Sequence, residues 1–323
     1  MKRIIACALP LFALLTACSV SLTFGDPPGN LTLLHLNDTY RIDAVEDGQR
    51  GGFGRVVTLI RQLRDEGRDV RMLHGGDFLY PSLESQLWDG EQMIEAMNFM
   101  HDLAPMYVVA GNHEFDPRRP GSLARSVKQS RFEWLGDNFS FNTGDAAVDA
   151  RLRNAYVTEM DGIRIGFLAL TLHEQDGGNL RDYAPVDRNY VAEAKRVLAE
   201  LESEGVELII GLTHLNLDED RQIAALRKQH PTFKIIAGGH EHEPEFEAGN
   251  AERATIVKGA SNARTIWRLD IWRDEEGEVQ VNQATVAIDA RIESDADYSV
   301  IERKWRSQLL ARIPFLEATL GMA

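Results

Sequence analysis

Short runs of apolar residues recur along the chain with the length of β-strands. They cover residues 31–36, 70–74, 106–110, 163–170, 206–213 and 233–237. Runs that are apolar on both faces are typical of strands in a sheet that is covered on both sides. Between these runs, apolar residues recur at helical spacing within residues 56–63, 93–100 and 191–201. This alternation predicts an α/β fold with a largely parallel sheet.

The pattern changes after Ala254. Residues 254–258, 265–272 and 278–288 have the character of successive strands with no helical segment between them. From Asp295 onward, apolar residues return at helical spacing, ending with Leu309 and Leu310. We therefore predict one domain over residues 31–290, followed by a C-terminal helix within residues 291–323.

The N-terminal residues have the pattern of a secretory signal. Lys2 and Arg3 precede an apolar run that is too short to span a membrane. Residues 15–18 resemble the bacterial lipobox, which predicts a signal peptide at 1–17, acylation of Cys18 and a tether at 18–30. The protein would then be lipid-anchored on the periplasmic side of the cell envelope, in the outer membrane. The alternative is an ordinary signal peptide cleaved elsewhere, with Cys18 incidental.

The composition argues against two kinds of function. The chain has 35 Lys and Arg against 50 Asp and Glu, a net charge of −15. Because such a surface repels phosphate backbones, we expect no nucleic-acid binding. Both cysteines lie in the first eighteen residues, so the remainder of the chain has no disulfide and no thiolate chemistry.

Polar residues of the types that can bind metal ions follow five of the predicted strands. Carboxylates, an Asn-His pair and histidines stand at these strand ends, namely Asp38, Asp77, Asn112 with His113, His214, and His240 with His242. The loops after the carboxyl ends of parallel strands meet at one edge of an α/β sheet. Carboxylate and imidazole ligands together suit divalent metals, and two neighbouring ions need a bridging oxygen ligand. Glycines at 75, 76, 238 and 239 allow the backbone to approach closely. The sequence therefore predicts a two-metal site.

The series of motifs resembles the calcineurin-like metallophosphoesterases, and within them the catalytic domain of the 5′-nucleotidase family. Residues 111–116 (GNHEFD) and 239–242 (GHEH) carry the resemblance most specifically, and it extends over residues 31–288. It implies an α/β fold, a four-layer α-β-β-α sandwich of two mixed sheets flanked by helices.

The resemblance also implies a role for each residue. One metal would be bound by Asp38, Asp77 and His242, and the other by Asp77, Asn112, His214 and His240. A metal-activated water would attack phosphorus in line, assisted by His113, which Asp116 orients. The implied cofactors are two divalent ions, manganese, zinc, cobalt or iron, and the implied partner is a small phosphorylated substrate.

Two tyrosines depart from the family pattern. Tyr40 stands where the first motif usually has a histidine ligand, and Tyr80 stands where most relatives have serine. Asp77 and Tyr80 together have an Asp-x-x-Tyr spacing that resembles the purple acid phosphatases, in which the tyrosine binds iron. Either tyrosine could complete the ligand set as a phenolate, or both could simply line the pocket.

A third departure concerns substrate recognition. The chain ends where the second domain of 5′-nucleotidases, which stacks the nucleobase, would begin. We therefore expect a broader phosphomonoesterase or phosphodiesterase, or one whose specificity is supplied by a separate subunit. The alternative function is a catalytically impaired lipoprotein of the same fold that binds a metal or another ligand.

Overall fold

A computed structural model describes residues 29–116, 119–173 and 187–313, together with the backbone of residues 183 and 184. The predicted signal peptide, Cys18 and most of the tether lie outside the described residues. None of the helices in the described part of the chain combines the length and the apolar composition that a membrane span requires.

Strands make up most of the regular structure. They are Leu31–Leu36 (β1), Asp69–His74 (β2), Met106–Val109 (β3), Glu133–Leu135 (β4), Ser140–Phe141 (β5), Leu152–Arg153 (β6), Tyr156–Met160 (β7), Ile163–Thr171 (β8), Tyr183–Ala184 (β9), Leu208–His214 (β10), Phe233–Gly238 (β11), Glu245–Glu247 (β12), Thr255–Lys258 (β13), Thr265–Arg273 (β14) and Val279–Ala287 (β15). The predicted strands are confirmed to within two residues at each end.

Helices occupy the intervening segments. They are Phe53–Asp65 (α1), Leu83–Trp88 (α2), Glu91–Leu103 (α3), Ser122–Gln129 (α4), Ala146–Asp149 (α5), Tyr190–Ser203 (α6), Leu217–Ala224 (α7) and Ser299–Arg312 (α8). The three helical stripes in the sequence coincide with α1, α3 and α6, and the C-terminal stripe coincides with α8. Short 3₁₀ turns lie at Asn112–Phe115, Ala225–Lys228 and Ser261–Ala263.

The strands form two large mixed sheets and one small pair, β5 with β9. The first sheet has the order β15-β14-β1-β2-β3-β4-β6, and the second has the order β12-β13-β11-β10-β8-β7. The neighbours from β1 to β6 pair in parallel, while β14 and β15 add antiparallel strands at one edge. Parallel pairings predominate in both large sheets, as predicted. Apolar periodicity does not reveal which strands pair, so it did not indicate the division into two sheets or the antiparallel strands at their edges.

Three apolar layers separate the four structural layers. On β1, Leu34 and Leu36 pack toward α1 and α3, whereas Leu31 and Leu33 face the other sheet. A third cluster lies between the second sheet and helices α6 and α7. This alternation of side-chain direction along each strand produces the implied α-β-β-α sandwich.

Candidate metal centre

The predicted strand ends lie together at one edge of the sandwich. The amide of Asp38 donates to the carbonyl oxygen of Gly76 at 2.9 Å, which joins the first two loops. The amide of Gly239 donates to the carbonyl oxygen of Thr213, also at 2.9 Å, in the second sheet. The amide of His240 donates to Asp38 Oδ2 at 2.8 Å. That bond connects the loops of the two sheets, so their side chains share one site.

One group of candidate metal ligands surrounds the Tyr40 hydroxyl. His242 Nε2 lies 3.3 Å from Asp38 Oδ1. The Tyr40 hydroxyl lies 2.9 Å from His242 Nε2 and 3.3 Å from both Asp38 Oδ1 and Asp77 Oδ2. One ligand atom from each of Asp38, Asp77 and His242 lies within 4.8 Å of the other two. This spacing suits a single cation held by two carboxylates and an imidazole.

A second group of candidate metal ligands lies next to the first. His214 Nε2 lies 3.3 Å from Asp77 Oδ2 and 3.0 Å from Asn112 Oδ1. His214 Nδ1 lies 2.6 Å from the carbonyl oxygen of Gly75. Because a carbonyl only accepts, Nδ1 carries the proton in that contact. The ring of His240 packs edge-on against that of His214, with centroids 5.4 Å apart.

Asp77 connects the two groups through one oxygen, Oδ2, and the donor chemistry fits two divalent cations. Asp38 and Asp77 are buried, and within the described residues neither pairs with lysine or arginine. Two buried carboxylates at this separation repel each other unless positive charge compensates them. Carboxylate, amide oxygen and imidazole form the mixture that divalent transition metals accept.

The electrostatic field of the site favours positive charge. Burial opposes the charged form of His214, yet the charge of Asp77 raises its pKa above the ordinary value. The hydrogen bond to Asp38 raises the pKa of His242. Burial acts to raise the pKa of Asp38, but the His242 hydrogen bond and the His214 charge hold it well below its ordinary value. Burial and the charges of Asp77 and Asp38 raise the pKa of Tyr40, so its hydroxyl acts as a hydrogen-bond donor.

His113 stands at the rim of this centre and is oriented by Asp116. His113 Nδ1 lies 2.7 Å from Asp116 Oδ2, and its Nε2 lies 4.0 Å from Asp77 Oδ2. The backbone amide of His113 donates to Asp77 Oδ1 at 2.9 Å, which fixes the base of the side chain. The Asp116 hydrogen bond raises the pKa of His113 to about 9 despite partial burial. An imidazolium that faces the cluster can donate a proton.

Four of the candidate ligands have left-handed backbone conformations. The φ angles are 52° at Asp38, 59° at Asp77, 88° at His240 and 61° at His242. Such conformations cost about 1–3 kcal/mol each in non-glycine residues and cluster at functional sites. They persist only where surrounding contacts hold the backbone.

Glycine is required beside these ligands for space. A Cβ atom at Gly76 would lie 2.6 Å from the amide nitrogen of Gly111 and 2.7 Å from His214 Nδ1. A Cβ atom at Gly239 would lie 2.2 Å from the carbonyl oxygen of Gly75. The loops can therefore approach only without side chains at these positions, as predicted from the sequence.

Glu114 has a structural role that was not predicted from the sequence. Its buried carboxylate accepts hydrogen bonds from four backbone amides, those of Asp77 at 2.8 Å, Phe78 at 2.8 Å, Leu79 at 2.9 Å and Gly111 at 2.6 Å. It thereby joins the loop that carries Asp77 to the turn that carries Asn112 and His113. Its position inside the GNHEFD motif was the only signal, and three of the four partners are thirty-odd residues away in sequence.

Asn37 was likewise assigned no role. Its Nδ2 donates to Asp38 Oδ2 at 2.6 Å, and its Oδ1 accepts from the Gly259 amide at 2.7 Å. Asn37 therefore orients Asp38 against the loop that follows β13.

Two other sequence candidates have different outcomes. The structure records no hydrogen bond or ring contact between Tyr80 and the site within the described residues, whereas Tyr40 contacts three candidate ligands.

Comparison with known proteins agrees with this geometry. The family model for calcineurin-like phosphoesterases matches residues 31–244. The 5′-nucleotidase of Vibrio vulnificus is 32% identical over 265 residues, which cover 74% of this chain and 45% of the relative. The snake venom 5′-nucleotidase of Crotalus adamanteus is 25% identical, with coverage of 86% and 51%.

Solved structures share the fold. A 5′-nucleotidase precursor from Thermus thermophilus superposes with a TM-score of 0.72 at 23% identity, covering 87% of this chain and 59% of that one. The chain thus spans about half the length of the curated relatives it matches. Because the family model covers well over half of the chain, including all the candidate ligands, the protein belongs to the calcineurin-like phosphoesterase family.

Proposed function

We propose that the protein is a metal-dependent phosphoesterase that hydrolyses a small phosphorylated substrate at the centre described above. The observation that carries this proposal is the position of Asp77. Its Oδ2 lies 3.3 Å from His214 Nε2 and 3.3 Å from the Tyr40 hydroxyl, between the two groups of donors. Membership of a phosphoesterase family supports the class of reaction.

In this proposal Asp77 serves two divalent ions. The remaining donors divide between them, with Asp38 and His242 on one ion and Asn112, His214 and His240 on the other. Divalent ions bound there would stabilise negative charge on phosphoryl oxygens and activate the attacking water. Manganese, zinc, cobalt and iron all accept such a ligand set.

The protein's own groups supply orientation and a proton. Asp116 holds the ring of His113 by its Nδ1, and Nε2 lies 4.0 Å from Asp77 Oδ2, at the edge of the proposed metal centre. With its pKa raised to about 9, His113 is protonated at neutral pH and donates to the phosphoryl or leaving-group oxygen. Asp77 Oδ1 accepts a hydrogen bond from the backbone amide of His113. This bond fixes the position of the proton donor, His113, relative to the metal ligand, Asp77.

The substrate class follows from relatives rather than from a described pocket. The matched relatives are named 5′-nucleotidases and apyrases, so nucleotides are the first substrates to test. Sugar phosphates and phosphodiesters belong in the same panel, because the candidate metal ligands and His113 would act on the phosphoryl group and not on a base. A separate specificity subunit stays a prediction.

Location is proposed from the N-terminal motif alone. We infer that Cys18 is acylated and anchors the protein on the periplasmic side of the cell envelope. Partition of the expressed protein into detergent phase, lost in Cys18→Ser, tests the anchor. Equal partition of the two forms would refute it.

The central experiment measures hydrolysis of an aryl phosphate after removal and restoration of manganese. We expect chelator to abolish activity, Asp77→Asn to reduce kcat by at least about 10³-fold, and His113→Asn to reduce it by about 10²–10⁴-fold while manganese still binds. Asp161→Asn is the matched control, because Asp161 is an exposed aspartate that also has positive φ, 46°. Folded wild-type protein that binds manganese without turnover would favour the alternative of an impaired binding lipoprotein.

A further inference from the structure

Lys258 is a fully buried lysine at the end of β13, outside the candidate ligand set. Its Nζ lies 2.8 Å from Asp220 Oδ2 and 2.7 Å from the carbonyl oxygen of Leu215. The same ammonium donates to Glu241 Oε2. A buried ammonium is tolerated only with such partners, and here the three partners come from two segments of the chain.

Each of these three partners lies close in sequence to a candidate histidine ligand. Leu215 directly follows His214, and Glu241 lies between His240 and His242. Asp220 lies on α7, which begins three residues after His214. One ammonium therefore touches both chain segments that carry the three histidines.

Glu241 extends this connection to the start of α7. Its Oε1 accepts the amide of Leu217, the first residue of that helix. The N-cap residue Asn216 makes no side-chain capping bond, so the Glu241 carboxylate satisfies a helix N–H in its place. The side chain between the two histidines is thus held at both oxygens.

The histidine segment needs such restraint because its backbone is unfavourable. His240 and His242 have φ angles of 88° and 61°, in the region that favours glycine. Gly238, just before the segment, is closely packed, because a Cβ there would lie 3.0 Å from Lys258 Cε and 3.1 Å from Asp220 Oδ2. Close packing around the ammonium and the unusual backbone of the ligands therefore occur in one place.

We propose that Lys258 is a positioning residue for the metal centre, which acts through Glu241 to hold His240 and His242 in their ligand geometry. The inference rests on the proposed metal-dependent function. Lys258 itself would contact neither substrate nor metal. Loss of outer groups that orient metal ligands typically weakens metal affinity about 10–100-fold.

Lys258→Met tests this proposal by removing the ammonium while keeping most of the side-chain volume. We expect manganese affinity, measured by calorimetric titration, to fall at least about tenfold, and excess manganese to restore most of kcat with an unchanged substrate KM. Lys234→Met is the matched control, because Lys234 lies on the neighbouring β11 and its ammonium binds the carbonyl oxygen of Val279. The control should bind manganese as the wild type does.

A second variant keeps the test decisive if Lys258→Met does not fold. Glu241→Gln retains an oxygen for the Leu217 amide but lacks the charge that pairs with Lys258, and we expect it to weaken manganese binding by a measurable factor, up to about tenfold. Wild-type affinity in a folded Lys258→Met protein, or in Glu241→Gln, would overturn the inference. If the wild type itself binds no manganese, the proposed function fails instead, so the two failures are distinguishable.

Discussion

At the scale of single residues, Tyr40 is the most unusual member of the centre. Its hydroxyl lies within 3.3 Å of three candidate ligands, Asp38, Asp77 and His242. Burial and the carboxylate charges raise the pKa of the phenol, and a bound cation would lower it again by neutralising those charges. Tyr40 is therefore our candidate for the ligand position that histidine occupies in the resembled family.

We expect protein loaded with ferric iron to show visible phenolate-to-iron absorption. The band should disappear in Tyr40→Phe and persist in Tyr80→Phe, because only Tyr40 contacts the candidate ligands within the described residues. Absorption spectroscopy of the three iron-loaded proteins checks this. Colourless iron-loaded wild type would mean that both phenols merely line the pocket.

At the scale of structural elements, the centre depends on turns that connect different strands. Glu114 lies in the 3₁₀ turn Asn112–Phe115 after β3, yet three of its four amide partners lie after β2. The turn and the loop therefore form one unit, and disturbance of either displaces Asp77 and His113 together.

Glu114→Gln should lower the free energy of unfolding by about 3 kcal/mol, because an amide offers one accepting oxygen and leaves buried N–H groups unpaired. Urea unfolding measures this, and manganese affinity should fall in parallel. Glu276→Gln, at an exposed position in the turn between β14 and β15, is the control and should change neither quantity. An unchanged unfolding midpoint in Glu114→Gln would contradict the assignment.

Asp137 joins the two sheets in a similar way and carries a pH dependence. It accepts the amides of Ala155 and Ala169, and burial raises its pKa from 3.8 to about 7. Between those values the folded protein holds more protons at this residue than the unfolded chain, so the free energy of unfolding decreases as pH rises. This contribution is complete below about pH 4 and lost above about pH 7.

We therefore expect unfolding measurements from pH 4 to pH 8 to show a smaller decrease with pH in Asp137→Asn than in wild type. The two pH profiles should differ by no more than about 1.4 kcal/mol per pH unit, the limit for one titrating group. Asp161→Asn should keep the wild-type profile. Parallel profiles for wild type and Asp137→Asn would refute the assignment.

At the scale of the whole molecule, we expect metal binding and folding to be coupled. The candidate ligands come from both sheets, with Asp38, Asp77 and Asn112 on the first and His214, His240 and His242 on the second. The chain also carries a net charge of −15, so cations concentrate near its surface. A cation held by both sheets stabilises only the state in which they are stacked.

Removal of metal should consequently lower the melting temperature. Manganese at about one hundred times its dissociation constant contributes about 2.7 kcal/mol, which corresponds to an increase of roughly 5 °C or more. Calorimetry with chelator and with increasing manganese measures the change. Asp77→Asn, which removes the shared ligand charge, should show little response, and an equal response would contradict the shared role of Asp77.

Much of the fold and most of the candidate ligands could be predicted because their signals are local. Apolar runs located β1, β2, β3, β8, β10 and β11, and strand polarity then placed Asp38, Asp77, Asn112, His214 and His240 at one edge. A strand and the residues that follow it are contiguous in sequence, so pattern and chemistry are read together.

Only the tertiary structure decided which strands and loops contact one another. Four features join segments that periodicity treats separately. They are the pairing into two mixed sheets, the four amides at Glu114, the Glu241–Lys258–Asp220 contacts and the contacts of Tyr40 with the candidate ligands. Local sequence determined which groups reach the edge of the sandwich, since side-chain alternation and turn position depend on neighbouring residues. Distances between those groups depend on sheet stacking and on long-range hydrogen bonds, which only the folded chain specifies.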